Sequence, residues 1–245
     1  IKKSDIIHYW SGNNVKYFNY LNIAKKMNKK IIIGPNVLDT TNIKMGINLS
    51  EKFKNAIFIS PSEYLSRKLE TLLNIDFKTI LIGPNFEDWS KDKKDNFILW
   101  KGNCKHKVKD VEFGLALKDR LPEYKFVFLG YPNPYDYNDH IPLAKKAKVY
   151  IGTSISETKC NTLLEQWACG TASITNPNMQ EHGVHMKTGI VCNRDLDSYC
   201  EAIKFMMSNQ EMTSRMGKYA YDFVRKKYCE YSTHHQYLKL LGDLR

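Results

Sequence analysis

No apolar run in this chain is long enough to cross a bilayer. The longest, such as Ile31 to Ile33 and Val149 to Gly152, fall far short of the roughly 20 residues that a spanning helix needs. No leader-like apolar stretch follows the opening Ile1-Lys2-Lys3-Ser4-Asp5, and the chain does not begin with Met, so a fragment or a trimmed protein is expected. None of the six cysteines forms a C-x-x-C pair, and no histidine cluster has the spacing of zinc ligands. A reduced, cytoplasmic setting is the simplest reading, with peripheral attachment to a membrane as an extension of it. Paired disulfides in a secreted protein are the alternative. Internal repeats, low-complexity tracts and a polybasic tail are missing too.

Acid is in short supply as well. There are 26 Asp and Glu against 37 Lys and Arg, a net charge of +11. The excess is spread out, +6 over residues 1–95 and +5 over the remainder. Such a surface attracts phosphate-rich partners: nucleotides, nucleic acids or anionic headgroups. A basic nucleic-acid-binding protein is one reading, but the sequence holds no DNA- or RNA-binding motif and the charge is not concentrated, so no nucleic-acid partner is expected. Hydrophobic residues make up 42% and aromatics 12%. That suffices for a packed core and argues against disorder.

Apolar spacing alternates between strand and helix. Asp5–His8 reads as a strand, Val15–Met27 as a helix, and Lys30–Gly34 and Ala56–Ile59 as strands. A helix starting in Ser60-Pro61-Ser62-Glu63 and running to about Leu73, and a strand at Thr79–Ile82, follow. The charged stretch Asp88–Asp95 lacks periodicity and reads as a linker. The alternation then resumes, with strands at Asn96–Trp100, Lys125–Leu129, Lys148–Gly152, Thr171–Thr175 and Gly189–Cys192. Helices are predicted over Val108–Leu121, Asp139–Ala147, Thr162–Cys169, Leu196–Met207, Glu211–Lys227 and Thr233–Leu241. This is the pattern of parallel α/β sheets with helices on both faces. Two such units would place a ligand in the cleft between them, at the C-terminal ends of the strands.

The chemistry concentrates in Ser154-Ile155-Ser156-Glu157-Thr158-Lys159-Cys160-Asn161-Thr162-Leu163-Leu164-Glu165, continuing to Ala168-Cys169-Gly170-Thr171. The segment leaves a strand, forms a loop and enters a helix near Asn161. A helix N-terminus offers unpaired N–H groups and a positive dipole end, which suit a diphosphate. Glu165 falls one turn inside, on the face of Asn161 and Thr162. Its carboxylate can accept two hydrogen bonds, as a ribose diol requires. Glu157 lies in the loop. Two glutamates at this spacing are also common by chance, as a capping acid and a surface acid.

The pattern resembles the retaining glycosyltransferases of family 4, whose signature is E-x7-E followed by a small-residue-Gly-Thr/Ser run. The resemblance continues through Glu181 and Thr188-Gly189-Ile190-Val191, the helix from Leu196 and the Met216-Gly217 step. Upstream it takes in Trp100-Lys101-Gly102, Lys107, Lys109-Asp110 and Phe126-Val127-Phe128-Leu129-Gly130. It is specific over residues 96–245 and looser before them. It implies a GT-B fold, α/β, with two Rossmann-like domains, parallel sheets and a cleft. The first, over residues 1–90, would be a truncated acceptor-side domain; residues 91–245 would bind the donor, with the last helix crossing back.

By the same resemblance Glu157 approaches the transferred sugar and Glu165 the nucleotide ribose. Cys160, Asn161 and Thr162 would offer backbone N–H groups to the phosphates. Asn103 stands where the family has an arginine, leaving Lys107 or Lys109 to supply the cation, and Cys160 stands where the family has glycine. His8, in Asp5-Ile6-Ile7-His8-Tyr9-Trp10, resembles a histidine lining the catalytic cleft. The implied reaction is retaining transfer of a hexose-type sugar from a UDP- or GDP-linked donor to a hydroxyl of a glycan, lipid or protein. It needs no metal and no cofactor beyond the sugar nucleotide as co-substrate. A non-catalytic sugar-nucleotide-binding subunit and an epimerase of the same fold are the alternatives. Asp195-Leu196-Asp197 has the look of a metal-binding D-x-D, but its place before a helix favours a cap. Cys160 and Cys169 are better suited to packing than to nucleophilic attack. Tyr131, Tyr135 and Tyr137 either stack on a base or belong to a proline-rich turn.

Overall fold

The computed structural model describes residues 3–11, 18–36, 43–133, 137–157, 159–179 and 183–244. Val15, Tyr135, Thr158 and Glu181 lie outside the described residues. The chain divides into two compact units, one of Ile1–Ile82 with Tyr231–Arg245 and the other of Gly83–Glu230.

The first unit runs β1 (Ile6–Ser11), α1 (Phe18–Lys26), β2 (Lys30–Asn36), α2 (Ile43–Lys52), β3 (Ile57–Ser60), α3 (Glu63–Leu73) and β4 (Phe77–Thr79). The four strands are parallel, in the order β1-β2-β3-β4. Ile31 and Ile33 point to one face with Leu21, Ala24, Leu49, Phe53, Leu65 and Leu69. Ile32 and Ile59 point to the other, where the helix Glu230–Gly242 brings Tyr237, Leu240 and Leu241. That two-sided burial explains the unbroken Ile31-Ile32-Ile33 run. Ser62 starts α3 by accepting the Leu65 N–H at 3.2 Å, an N-cap.

The sequence pattern misses α2 and places β4 two residues late. In α2, Leu49 is buried and Met45 packs beside it, but Gly46 and the exposed Ile47 blur the apolar stripe. Ile80 lies just past β4 and still enters the core, its N–H bonded to Ser60 O at 3.0 Å.

The second unit holds β5 (Asp95–Lys101), α4 (Val111–Arg120), β6 (Phe126–Leu129), α5 (Tyr137–Lys145), β7 (Ala147–Ile151), α6 (Asn161–Ala168), β8 (Ala172–Thr175), β9 (Gly189–Val191), α7 (Leu196–Ser208) and α8 (Gln210–Tyr228). Its five parallel strands are ordered β6-β5-β7-β8-β9. The chain moves from β5 outward to β6 and then returns to the other side of β5 with β7. The C-terminal ends of β5 and β7 therefore flank a switch in winding direction, the place where open α/β sheets bind ligands.

Helix α4 starts at Val111 and not Val108, because Lys107–Lys109 form a single 3-10 turn. Asp110 follows with φ +45° and caps α4 by accepting the Phe113 N–H at 3.3 Å. The stretch Asp88–Asp95 is anchored by two side chains. Trp89 is buried, and the Lys94 ammonium donates to Lys145 O, Cys169 O and Thr171 Oγ1 at 2.7, 2.8 and 2.8 Å. The first two of those carbonyls end α5 and follow α6, where a lysine satisfies orphan acceptors.

Candidate functional site

The site of the second unit grows from the C-terminal ends of β5 and β7. In β5, Phe97-Ile98-Leu99-Trp100 are buried on both faces, as suits a central strand. Lys101 closes the strand with its side chain only 1% exposed. Its ammonium lies 2.7 Å from Glu165 Oε2 and 4.0 Å from the centre of the Trp89 ring. Burial pulls the Lys101 pKa down, and the neighbouring Glu165 opposes the shift. Burial likewise pushes Glu165 up, and Lys101 opposes that. At this distance the ionised pair is the stable form, since each charge replaces part of the water the other has lost.

Glu165 sits in α6, whose buried residues are Thr162, Leu163, Leu164, Gln166, Trp167 and Ala168. These hold the helix against α8 and β8, so the direction of Glu165 is fixed by packing. Gly170 ends the element with φ +73°, the left-handed residue that a helix C-terminus favours. At the other end Cys160 is the N-cap, without a side-chain cap bond. Its carbonyl accepts the Leu164 N–H at 3.2 Å. The Asn161 and Thr162 N–H groups belong to the first turn, which has no intrahelical acceptor. Asn161 is exposed and Thr162 buried. The Cys160 thiol is buried 4.0 Å from the Tyr150 hydroxyl, and burial pushes its pKa up. A protonated, packed thiol is no nucleophile.

Glu157 lies in the loop between β7 and α6. Its Oε1 accepts from the Lys109 ammonium and from Ser154 Oγ, the latter at 2.9 Å. Lys109 and Lys107 flank one 3-10 turn, but the structure brings only Lys109 to a glutamate. Lys107 stays exposed. Asn103, at the position where the resemblance expects arginine, caps its own loop by accepting the Lys105 N–H at 3.0 Å.

A network behind these residues fixes Lys109. Thr153 Oγ1 donates to Lys109 O and Asp110 O, at 2.7 and 2.9 Å, and accepts the Trp100 indole N–H at 2.8 Å. Asp110 is paired with Arg194, whose Nε also donates to Thr153 O at 3.3 Å. The Ile155 N–H bonds to Val108 O at 2.9 Å, joining the two loops directly. Sequence reasoning gave Lys101 and Arg194 no role. The available clue to Lys101 was a lysine ending an apolar strand, where it must find an anion or reach water. Arg194 offered none.

Asp195 is the N-cap of α7, accepting the Ser198 N–H at 2.8 Å, and Asp197 pairs with the exposed Arg120. Among the described residues no group of three or more His, Cys, Asp or Glu is placed to hold a metal ion. Tyr131 packs by its edge on Phe128.

His8 belongs to the first unit, in β1, opposite Ile32. Its Nε2 donates to Gly34 O at 2.8 Å, and its ring meets Trp10 at 5.2 Å and Tyr237 at 5.8 Å. Burial lowers its pKa, which favours the neutral ring.

A parallel α/β unit with two carboxylate–lysine pairs at its switch point and an open helix N-terminus has the layout of the ligand-binding open α/β class. Comparison with known proteins agrees with that class. Residues 67–223 match the family described as glycosyl transferases group 1, and the chain belongs to that family. Comparison with curated proteins finds no match. Among solved structures, sucrose-phosphate synthase from Thermosynechococcus elongatus superposes with a TM-score of 0.79 at 15% identity, covering 98% of this chain and 73% of the other. HepE from Anabaena, solved in complex with UDP and glucose, gives 0.77 at 13% identity, covering 98% and 78%. S. aureus TarM, in complex with fondaparinux, α-GlcNAc-glycerol and UDP, gives 0.72 at 13% identity, covering 92% and 53%. The shared architecture is GT-B.

Proposed function

We propose that this chain transfers a sugar from a nucleotide diphosphate sugar to an acceptor hydroxyl with retention of anomeric configuration, and without a metal. The observation that carries the reading is the double pairing Lys101–Glu165 and Lys109–Glu157 at the β5/β7 switch point. On this reading Glu165 receives the ribose hydroxyls and Glu157 faces the sugar. The N–H groups of Asn161 and Thr162, at the turn begun by Cys160, receive the diphosphate together with Lys109, while Lys107 adds charge at the rim. His8, with Nε2 bonded to Gly34 O, keeps the catalytic role that the family resemblance implies for it. The bond from the sugar's anomeric carbon to the phosphate oxygen breaks, and the diphosphate leaves with the electron pair. The acceptor oxygen bonds to the same carbon on the same face, and its proton passes to a donor phosphate oxygen. Preorganised N–H groups and Lys109 stabilise the leaving charge. Hexose donors, a UDP or GDP base, and glycan, lipid or protein acceptors all fit this chemistry. UDP in the HepE and TarM complexes supports a uridine donor.

The test is a calorimetric panel of UDP-, GDP- and other nucleotide sugars, followed by NMR of the product formed from the best donor. One donor binding tightly and an anomer matching the donor's support the proposal. Failure of every nucleotide sugar to bind overturns it, and an inverted product overturns retention.

A further inference from the structure

We infer that the corner between α1 and β2 of the first unit docks on an anionic lipid surface. Three large apolar side chains stand out of this corner: Tyr20, Ile23 and Met27, 54%, 44% and 36% exposed. Their spacing of three and four puts them on one side of the helix and its last turn. Leu21 and Ala24, which lie beside this stripe, are buried in the core. The exposed stripe thus extends the apolar face of the helix beyond the part that the core covers.

Lysines surround that stripe. Lys25, Lys26, Lys29 and Lys30 follow one another through the turn. A surface cavity of about 410 Å³ is lined by Lys25, Lys29 and Lys54, with Glu51 as its acid. A second, of about 710 Å³, is lined by Met27, Lys29 and Lys30, with Asp5 as its acid. The two share Asn28 and Lys29, so the basic hollows meet at the turn that follows α1, and Met27 lines the second. Such hollows fit phosphate-bearing headgroups.

The combination selects the partner. Lysines alone would fit any polyanion, but a nucleic acid offers no apolar bed for three adjacent side chains. A bilayer interface accepts both, the apolar groups entering the headgroup boundary while lysine stems reach outward to phosphates. Each basic residue near an anionic membrane adds to the binding. The corner also lies where β2 begins. The C-terminal ends of the strands, where a parallel unit binds small ligands, stay free. The inference does not depend on the transfer chemistry.

The experiment is flotation of the full chain with vesicles of phosphatidylcholine alone or mixed with equal parts of phosphatidylglycerol, with circular dichroism to confirm folding. Binding should require the anionic lipid and weaken as salt rises. Lys26→Gln with Lys30→Gln should weaken binding to mixed vesicles on the order of thirtyfold. Tyr20→Ser with Ile23→Ser should also weaken it, leaving the remainder salt-sensitive. Equal binding to both vesicle types, or no effect of either double variant, overturns the inference. So does a loss of duplex DNA binding in the lysine variant while vesicle binding is unchanged, which would make the corner a nucleic-acid surface.

Discussion

Replacing Glu165 should produce two separable losses, because the structure gives that carboxylate a structural partner and the proposed function gives it a ligand. Lys101 is 1% exposed and Glu165 15%. Glu165→Leu removes the carboxylate 2.7 Å from a buried ammonium, a change that costs about 3–5 kcal/mol. In a unit of this size that lowers the melting temperature by roughly 6–20 °C. Adding Lys101→Met removes the buried charge and keeps most of the volume. Apolar replacement of a buried pair is neutral or stabilising by about 1–4 kcal/mol, so the double variant should melt near the parent. Nucleotide affinity should not return with it. Hydrogen bonds from ribose to a carboxylate are worth about 1.5–3 kcal/mol, roughly ten- to 150-fold in Kd. Thermal denaturation and calorimetry with the best nucleotide diphosphate read the two effects. A stable double variant that binds nucleotide as the parent does would refute the ribose assignment. A Glu165→Leu single variant with parental melting would refute the account of the buried pair.

Lys109→Met should weaken nucleoside diphosphate binding by about 1.5–3 kcal/mol and leave binding of the bare nucleoside unchanged; equal losses for both ligands would remove the lysine from the phosphate site. Turnover should survive EDTA, and strict dependence on magnesium or manganese would defeat the metal-free scheme. Lys94 tests linkage: burial lowers its pKa to about 8 in the folded chain, against about 10.5 when unfolded. Its destabilising effect is then complete below pH 8 and fades as pH rises toward 10.5. Between pH 8 and 9 the parent should gain about 1 kcal/mol relative to Lys94→Met. Cys169 and Cys192, pushed up to about 12, resist ionisation when folded and lower stability above their unfolded pKa. They do so in both proteins and cancel in the difference, and a flat difference would contradict the buried ammonium.

The α6 region was legible because its information is local. Asn161 at a helix entrance, apolar Leu163 and Leu164, and Gly170 after the last turn each act within a few residues of themselves. The E-x7-E spacing rides on that local frame. What stayed hidden depends on distant pairing. Nothing near Lys101 announces Glu165, 64 positions away, and Arg194 meets Asp110 across 84. In Lys91-Asp92-Lys93-Lys94-Asp95 the sequence shows a solvated charge run. Only the fold decides that Lys94, and not Lys93, turns inward to three acceptors. The missed α2 has another cause: Gly46 and the exposed Ile47 weaken the periodicity that Met45 and Leu49 establish.

The two pairs share a geometry that bears on how the site works. Lys101 and Lys109 are eight residues apart, as are Glu157 and Glu165, and the pairing is crossed: the earlier lysine meets the later glutamate. Lys101 ends a strand and Glu165 lies inside a helix, so that pair joins two rigid elements. Lys109 ends a single 3-10 turn and Glu157 lies in a loop, and Lys109 is 21% exposed. A diphosphate entering at the start of α6 competes with Glu157 for Lys109, whose ammonium is a compact charge on a flexible stem. It cannot compete in the same way for Lys101, which is buried under Glu165 and held over Trp89. On the proposed reading, donor binding therefore exchanges one carboxylate partner of Lys109 for a phosphate and releases Glu157 toward the sugar. The inner pair keeps Glu165 in place for the ribose throughout. On that same reading, the spacing that marks the motif in the sequence separates a fixed carboxylate from one that ligand binding sets free.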